Sequence, residues 1–460
     1  MTMVQQMADF VAHARYEDLS ETACQALKIH ILDALGCALG ALDGEPIRLI
    51  RQQLDDFGGS PLCSLIAGGK TSPDRAAFYN SALVRYLDFN DSYLAKGETC
   101  HPSDNLGAVL AASEYSQASG KDLMTSLAVA YQVQCHLSDV APVRNKGFDH
   151  TTQGAYAVAS GVSRALHLDP VRTANAIAIS GTAYNALRVT RTGPLSNWKG
   201  LAYPDTVFGA THAAFLAMRG ITGPLDVFEG NKGFMESITG PFQVDWSHED
   251  LEKVTGTVIK KYNAEMHSQS ALEGILELKQ VHPFQADQVD HIDIDIFDVA
   301  YHIIGGGEEG NKKTIQNKEQ ADHSLPYMIA VAILDGKVTP EQYLPDRIRR
   351  NDVQELLQRV DIHPSKEYSQ KFPFEMDCKI TVSLKNGSSF TQFKTDYEGF
   401  FTRPITWEHI IQKFQVLSSS SCPPQLQDEL IDAVAHLEEI TTSDLLDLLA
   451  RAMIPGDSKV

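Results

Sequence analysis

Acidic, phenolic and imidazole side chains lie close together in the segment that contains Asp88, Asp91, Tyr93 and His101. This segment precedes a helical pattern and is typical of a loop. A carboxylate that orients an imidazole can hold the histidine near a useful pKa for general acid–base catalysis. We therefore predict that Asp91 orients His101. The alternative is purely local, with these polar side chains capping the next helix or forming a turn.

Three cations form a second group in a chain that is otherwise acidic, and they are Arg188, Arg191 and Lys199. Guanidinium groups bind carboxylates in a bidentate manner, and a lysine adds a point charge. We predict that this group binds the carboxylates of a small molecule. The alternative is an exposed basic turn that pairs with surface acids and contributes little.

Further histidines stand at the starts of helical patterns. His150 follows Asp149, His267 lies two residues after Glu265, and His323 precedes a helix in the later part of the chain. The N-terminus of a helix carries partial positive charge, so it favours a neutral imidazole and attracts an anion. Each histidine is a candidate for chemistry, although a single histidine is more often a structural residue.

The glycine-rich segment 305–312 has a superficial likeness to a phosphate-binding loop. Asn311 separates the last glycine from Lys312, Lys313 replaces the hydroxyl residue, and two glutamates would repel phosphate. We therefore interpret it as a mobile loop after a strand. The chain also lacks an HExxH motif, a dinucleotide fingerprint and a GxSxG elbow, which argues against zinc-protease, nucleotide-binding and α/β-hydrolase functions.

Composition narrows the class of protein. The 460 residues suffice for two or three domains of roughly 150 residues each. A net charge of −20 argues against nucleic-acid binding as the main activity. The seven cysteines form no CxxC pair, which argues against a zinc ribbon or a common iron–sulfur site. Because neither a secretory signal nor an apolar run of about 18 residues is visible, we expect a cytoplasmic protein that does not bind membranes.

The elements that must position these residues change in character along the chain. Helical spacing dominates up to about residue 270, and Gly36, Gly40 and Gly44 form a smooth stripe that allows a neighbouring helix to approach. Alternation of apolar and polar residues then predicts strands at 292–296 and 378–384, the second followed by an Asn-Gly hairpin turn. Helical spacing returns from Trp407. We predict a helical domain formed by 1–272 and 403–460, with an α+β domain at 273–402.

Taken together, these motifs resemble the MmgE/PrpD family. The resemblance is carried by DFND at 88–91, HPSDNLG at 101–107 and AEMHSQ at 264–269. Shorter matches at 33–37, 149–150, 198–199 and 317–327 support it in the same order. It implies a mainly α fold, with a large all-helical domain built from both chain ends and a smaller α+β lid domain inserted between them. It also implies a homodimer and a site between the domains that uses no metal or cofactor.

The resemblance assigns roles to particular residues. Those implied to be catalytic are Asp91, His101, His150, Lys199 and His267. Those expected to bind substrate are Asp88, Tyr93, Arg188, Arg191, Gln269 and His323.

The function implied is that of a cofactor-free lyase. It would dehydrate a citrate-like tricarboxylate, 2-methylcitrate or citrate, to an aconitate-type alkene through histidine-mediated proton transfer. The stretch around His267 follows the dehydratase form, which favours this reaction. The alternatives are decarboxylation of cis-aconitate, epimerisation of a related polycarboxylate, and a non-catalytic dimeric protein that binds carboxylates.

Overall fold

The computed structural model describes residues 1–456, and the chain is mainly α-helical with small sheets, as predicted. It divides into two compact units. The first contains Met1–Arg188, Gly200–Thr257 and the chain from Thr406 onward, and the second contains Val189–Lys199 and Val258–Ile405. Both chain ends therefore contribute helices to the first unit.

The first unit is built from α-helices joined by short 3-10 turns and two small hairpins. Its α-helices are Met3–His13, Glu21–Gly40, Glu45–Phe57, Pro73–Tyr86, Leu106–Tyr115, Gly120–Val140, Thr151–Ala165, Pro170–Ala183, Trp198–Met218, Trp407–Ser418, Pro424–Ala435 and Thr442–Leu449. Its antiparallel strand pairs are Cys63–Ser64 with Lys70–Thr71 and Tyr93–Ala95 with Glu98–Cys100. Trp198 and Lys199, at the start of one of these helices, belong to the second unit.

A close helix–helix contact joins the two chain ends in the first unit. The helix Glu21–Gly40 begins at Ser20, whose side chain accepts a hydrogen bond from the backbone of Ala23. Its Gly36 faces the C-terminal helix Trp407–Ser418, and a Cβ there would lie 3.3 Å from the Cα of Phe414. Gly36 and Gly40 of the predicted stripe therefore bring together two helices that are far apart in sequence, whereas Gly44 lies outside the helix as the N-cap residue of Glu45–Phe57.

The second unit contains a four-stranded sheet with helices packed around it. The strand order is Val360–Ser365, Val289–Phe297, Cys378–Leu384 and Ser389–Lys394. The first pair is parallel and the other two pairs are antiparallel. The strands predicted at 292–296 and 378–384 and their hairpin are confirmed, whereas the strand Val360–Ser365 was not predicted.

The helices of the second unit are short. They are Gln269–Val281, Asp298–Ala300, Lys318–Ala321, Leu325–Asp335, Pro345–Ile348, Asn351–Leu357 and Lys366–Lys371, with a π-helix at Tyr301–Gly305. The unit starts at Val258 rather than at 273, because the segment before the helix Gln269–Val281 is tied to it by backbone hydrogen bonds. Ile259 donates to Gly399 and Asn263 donates to Val338.

Within residues 1–456, no single helix combines the length and the apolar character needed to cross a bilayer, and only the sharply bent pair Glu21–Gly40 and Glu45–Phe57 satisfies that test jointly.

Candidate active site

His101 is held in one orientation by the backbone of its own segment. It follows the strand Glu98–Cys100 and precedes the 3-10 turn Pro102–Asn105. Its Nδ1 lies 2.7 Å from the carbonyl oxygen of Asp91 and 3.1 Å from the hydroxyl of Ser92. A carbonyl oxygen only accepts hydrogen bonds, so the proton of the neutral ring lies on Nδ1 and the lone pair on Nε2. This is the tautomer that a general base requires.

The carboxylate of Asp91 is fully buried and has other partners. One oxygen accepts hydrogen bonds from the backbone and hydroxyl of Ser103, and the other accepts one from Tyr131 at 2.6 Å and lies 3.0 Å from His30 Nδ1. Burial alone would raise the pKa of Asp91, but the interactions with His30, Tyr131 and Ser103 outweigh it and hold the pKa below its usual value. The predicted orientation of His101 by Asp91 therefore operates through the carbonyl rather than the carboxylate.

A second imidazole lies beside the first in the same unit. His150 is the N-cap residue of the helix Thr151–Ala165, and its Nδ1 lies 3.2 Å from Asp149. Its ring stacks on Tyr203 with centroids 5.8 Å apart, and it meets the ring of His101 edge-on at 5.5 Å. Two imidazoles and a phenol therefore form one buried cluster, although they come from three separate stretches of sequence.

Tyr203 brings a neutral hydroxyl to this cluster. The hydroxyl lies 2.9 Å from Gln134 Oε1 and 3.1 Å from Asn105 Oδ1, both of which accept hydrogen bonds. Burial raises the pKa of Tyr203 well above its usual value, so the phenol stays protonated at neutral pH. It can therefore fix the position of His150 by stacking without adding charge.

Two of the predicted substrate ligands in the first unit are engaged by neighbouring side chains. Asp88 is buried with a left-handed φ of 55° and pairs with the buried guanidinium of Arg85. Arg188 places Nη1 3.7 Å from an oxygen of Asp149. Both residues thus belong to ion pairs, and the pair of Arg188 involves the carboxylate that lies beside His150.

The hydroxyl of Tyr93, an expected substrate ligand, is engaged by two side chains. It donates a hydrogen bond to Asp139 at 2.8 Å and accepts one from Lys253 at 3.3 Å. Lys253 and Asp139 pair at 2.7 Å in a partly exposed position. Substrate binding by Tyr93 stays a prediction.

The second unit contains a charged cluster around Asp322. The ammonium of Lys199 lies 3.3 Å from Asp322 and 3.2 Å from His323 Nδ1, and His323 Nδ1 lies 2.7 Å from the same carboxylate. Lys318 pairs with the other oxygen at 2.7 Å. Burial would raise the pKa of Asp322, but these cations lower it far below its usual value. His323 Nδ1 thus lies between a carboxylate that only accepts hydrogen bonds and an ammonium that only donates them, and the shorter distance is to the carboxylate. Arg191 is also buried in this unit.

Glu265 and His267 form a carboxylate–imidazole pair. One oxygen of Glu265 lies 2.7 Å from His267 Nδ1, and the other accepts a hydrogen bond from the backbone of His267 at 2.8 Å. Burial opposes ionisation of Glu265, but His267, His323 and Lys260 lower its pKa to about 2. The carboxylate is therefore ionised at neutral pH and orients the imidazole.

His267 itself is enclosed by aromatic rings. Its ring centroid lies 5.8 Å from Phe297 and 5.6 Å from Phe372, and the residue is fully buried. No atom of residues 1–456 forms a hydrogen bond with its Nε2. Burying a polar nitrogen without a hydrogen-bond partner costs free energy. Because no group in the described part of the chain occupies this Nε2, it is available for proton transfer.

The side-chain amide of Gln269 binds to the backbone of the preceding segment. Its nitrogen donates to the carbonyls of Tyr262 and Ala264, and its oxygen accepts from the backbone of Lys261 and Tyr262. An amide has two donors and one acceptor oxygen, and all are in use. Substrate binding by Gln269 stays a prediction.

Two sequence profiles of known protein domains match this chain, one in each half. The sequence profile of the MmgE/PrpD N-terminal domain matches residues 5–247, and that of the MmgE/PrpD C-terminal domain matches residues 262–439. Together they cover most of the chain. The chain belongs to the MmgE/PrpD family.

Individual relatives of this MmgE/PrpD protein carry two different names. It is 26% identical to 2-methylcitrate dehydratase of Salmonella typhimurium, with 96% of each chain covered. It is 25% identical to cis-aconitate decarboxylase of Mus musculus, with 98% of this chain and 93% of the relative covered. The human cis-aconitate decarboxylase is also 25% identical, with 95% and 92% covered.

Sequence reasoning missed several residues that complete the two clusters of this MmgE/PrpD protein. Tyr203 lies within a helix of small and apolar residues, and His30 and Tyr131 lie on helices whose patterns indicate only core positions. No local signal distinguishes them. Asp322 has a signal, because it stands directly before His323 as Asp149 stands before His150.

Proposed function

We propose that this MmgE/PrpD protein is a hydro-lyase that dehydrates a citrate-like tricarboxylate, 2-methylcitrate or citrate, to an aconitate-type alkene. The observation that carries the proposal is the His101 imidazole, whose Nδ1 hydrogen is held by the Asp91 carbonyl so that Nε2 can accept a proton. The full-length relatives named 2-methylcitrate dehydratase support the choice of reaction.

The reaction needs two coupled proton movements. A base removes the proton from a carbon next to a carboxylate, the electron pair of that C–H bond forms the double bond, and the C–O bond breaks. The departing hydroxyl takes up a proton and leaves as water. We assign proton abstraction to Nε2 of His101, with His150 beside it and Asp91 as the group that fixes its orientation.

Charged residues would meet the other two requirements of the reaction, which are neutralisation of the carboxylates and a second proton-transfer group. Lys199 and Arg191, together with Arg188, would neutralise carboxylates and stabilise the charge that develops beside one during deprotonation. The Glu265 carboxylate can stabilise an imidazolium at His267, which makes that residue the second proton-transfer group. We propose that His323 contributes to substrate binding.

The product distinguishes dehydration from decarboxylation. We expect purified protein to convert 2-methylcitrate or citrate to an aconitate-type alkene, seen as rising absorbance near 240 nm, without release of carbon dioxide. Decarboxylation needs a proton donor but no base, so it would not use the lone pair that this tautomer of His101 places on Nε2. Itaconate and carbon dioxide from cis-aconitate, with no turnover of 2-methylcitrate, would assign the protein to the activity named for its mouse and human relatives instead.

We also propose that the reaction uses no metal. The seven cysteines form no CxxC pair, and the sequence contains no HExxH motif. Turnover should therefore survive exhaustive chelation and exposure to air. Loss of activity on chelation, with recovery on adding iron under reducing conditions, would show that this part of the proposal is wrong.

A cytoplasmic location and a homodimer complete the proposal, and the homodimer rests on the family resemblance. Light scattering of the purified protein should give the mass of two chains, and the mass of one chain would contradict the dimer.

A further inference from the structure

Lys312 is a largely buried lysine whose ammonium the protein does not pair. The residue is 7% exposed, and within residues 1–456 no hydrogen bond or ion pair reaches its Nζ. The other buried lysines behave differently, since Lys28 pairs with Glu438 at 2.8 Å and Lys199 approaches Asp322 at 3.3 Å. Burying a charge without a partner costs free energy, so proteins rarely keep one that has no use.

The segment around Lys312 is fixed rather than loose, although its glycines predict a mobile loop. The hydroxyl of Ser324, the N-cap residue of the helix Leu325–Asp335, donates a hydrogen bond to the carbonyl of Lys312. The next residue, Lys313, pairs with Asp361 at 2.6 Å. Lys312 is therefore anchored beside the Asp322–His323 turn that belongs to the candidate site.

Three carboxylates and one ammonium act on Lys312, but within residues 1–456 none of the carboxylates forms an ion pair with its Nζ. Burial lowers the pKa of Lys312, the carboxylates of Glu309, Glu265 and Asp322 oppose that effect, and the ammonium of Lys199 adds to it. Glu265 is already committed to His267, and Lys199 already has Asp322 as a partner. A carboxylate from outside would therefore complete the coordination of Lys312.

We infer that Lys312 binds a carboxylate group of the substrate and so contributes to selection of tricarboxylates over dicarboxylates. This inference rests on the proposed function, because it takes the ligand to be a polycarboxylate. Lys312 was excluded as a phosphate ligand by its sequence context, and only its burial and lack of a partner show a role in anion binding. It acts as a binding residue and transfers no proton in this proposal.

The test uses a ligand that binds without reacting. Tricarballylate (propane-1,2,3-tricarboxylate) lacks the hydroxyl that would leave, so titration calorimetry of the full chain measures binding alone. We expect Lys312→Met to weaken the Kd by roughly 10–100-fold, as removal of a charge-assisted hydrogen bond does. Lys312→Arg should stay within several-fold of wild type. Lys313→Met is the matched control, because that neighbouring lysine is paired with Asp361 and 30% exposed, and it should change the Kd by less than about twofold.

Thermal unfolding provides an independent readout. Since Met keeps the apolar stem and removes an unpaired buried charge, Lys312→Met should melt at the same temperature as wild type or about 1–3 °C higher. A lower melting temperature would show that Lys312 is a structural residue and overturn the inference. An unchanged Kd in Lys312→Met would also overturn it while leaving the proposed function intact. Wild-type protein that binds no tricarballylate at millimolar concentration would overturn both.

Discussion

Replacing His101 by asparagine is expected to lower kcat by roughly 10²–10⁴-fold, the usual contribution of a general acid–base group. The amide nitrogen of asparagine can occupy the position of Nδ1 and still donate to the Asp91 carbonyl, so the loop should keep its conformation. What is lost is Nε2, the atom that accepts the proton. The measurement is initial rate with 2-methylcitrate at saturating concentration, together with the melting temperature of the variant.

His212→Asn is a suitable control for that variant. His212 lies in the same unit, its side chain is 54% exposed, and its nearest carboxylate is Asp74 at 3.4 Å. This variant should retain the turnover rate of the wild type. If His101→Asn is stable and turns over at a near-native rate, His101 does not transfer the proton. If it fails to fold, the local structural interpretation of this segment is correct.

Replacing Glu265 by glutamine is expected to lower kcat by roughly 10²–10³-fold and to lower stability at neutral pH. The carboxylate accepts from both the backbone and Nδ1 of His267, whereas an amide can direct its NH2 group toward Nδ1. That reversal would move the ring proton to Nε2 and remove the charge that stabilises the imidazolium. The variant therefore tests the tautomer of His267 without changing the imidazole.

A control variant and the pH dependence of stability provide further tests of the role of Glu265. Glu341→Gln alters an exposed glutamate that pairs with Lys337 in the same unit, and it should leave kcat unchanged. The pKa of Glu265 falls from 4.5 to about 2 on folding, so its contribution to stability is present above pH 4.5 and is lost as pH falls through about 2. A turnover rate for Glu265→Gln within threefold of wild type would remove the Glu265–His267 pair from the mechanism.

The local patterns of the sequence predicted much of the fold. Alternation over 378–384 followed by Asn386-Gly387 predicted the antiparallel hairpin, because that turn matches the twist of paired strands. The glycines at 36 and 40 predicted a close helix neighbour without identifying it. Only the folded chain shows that the neighbour is the helix containing Phe414 and Leu417. The strand Val360–Ser365 was missed because it pairs in parallel with a strand far away in sequence, and such pairing leaves no local turn signal.

For the candidate site, residue type and local sequence were informative only where two residues that contact each other are also close in the sequence. Glu265 with His267, and Asp322 with His323, are pairs of this kind, and each is a close contact in the structure. Gln269 stands in the same motif, but its amide turns back to the chain at 261–264, which the motif alone does not reveal. A motif therefore located these residues but did not determine which of them face a ligand.

By itself, the sequence determined the family, the mainly α fold with its inserted α+β part, and the positions of the histidines, because these depend on residue type and on periodicity along the chain. Only the tertiary structure decided which atoms carry the lone pairs and which charges lack a partner. The tautomer of His101 depends on a carbonyl ten residues earlier, and the isolation of Lys312 depends on side chains brought together by folding. Hydrogen bonding and desolvation act over a few ångströms in space, and sequence separation does not measure that distance.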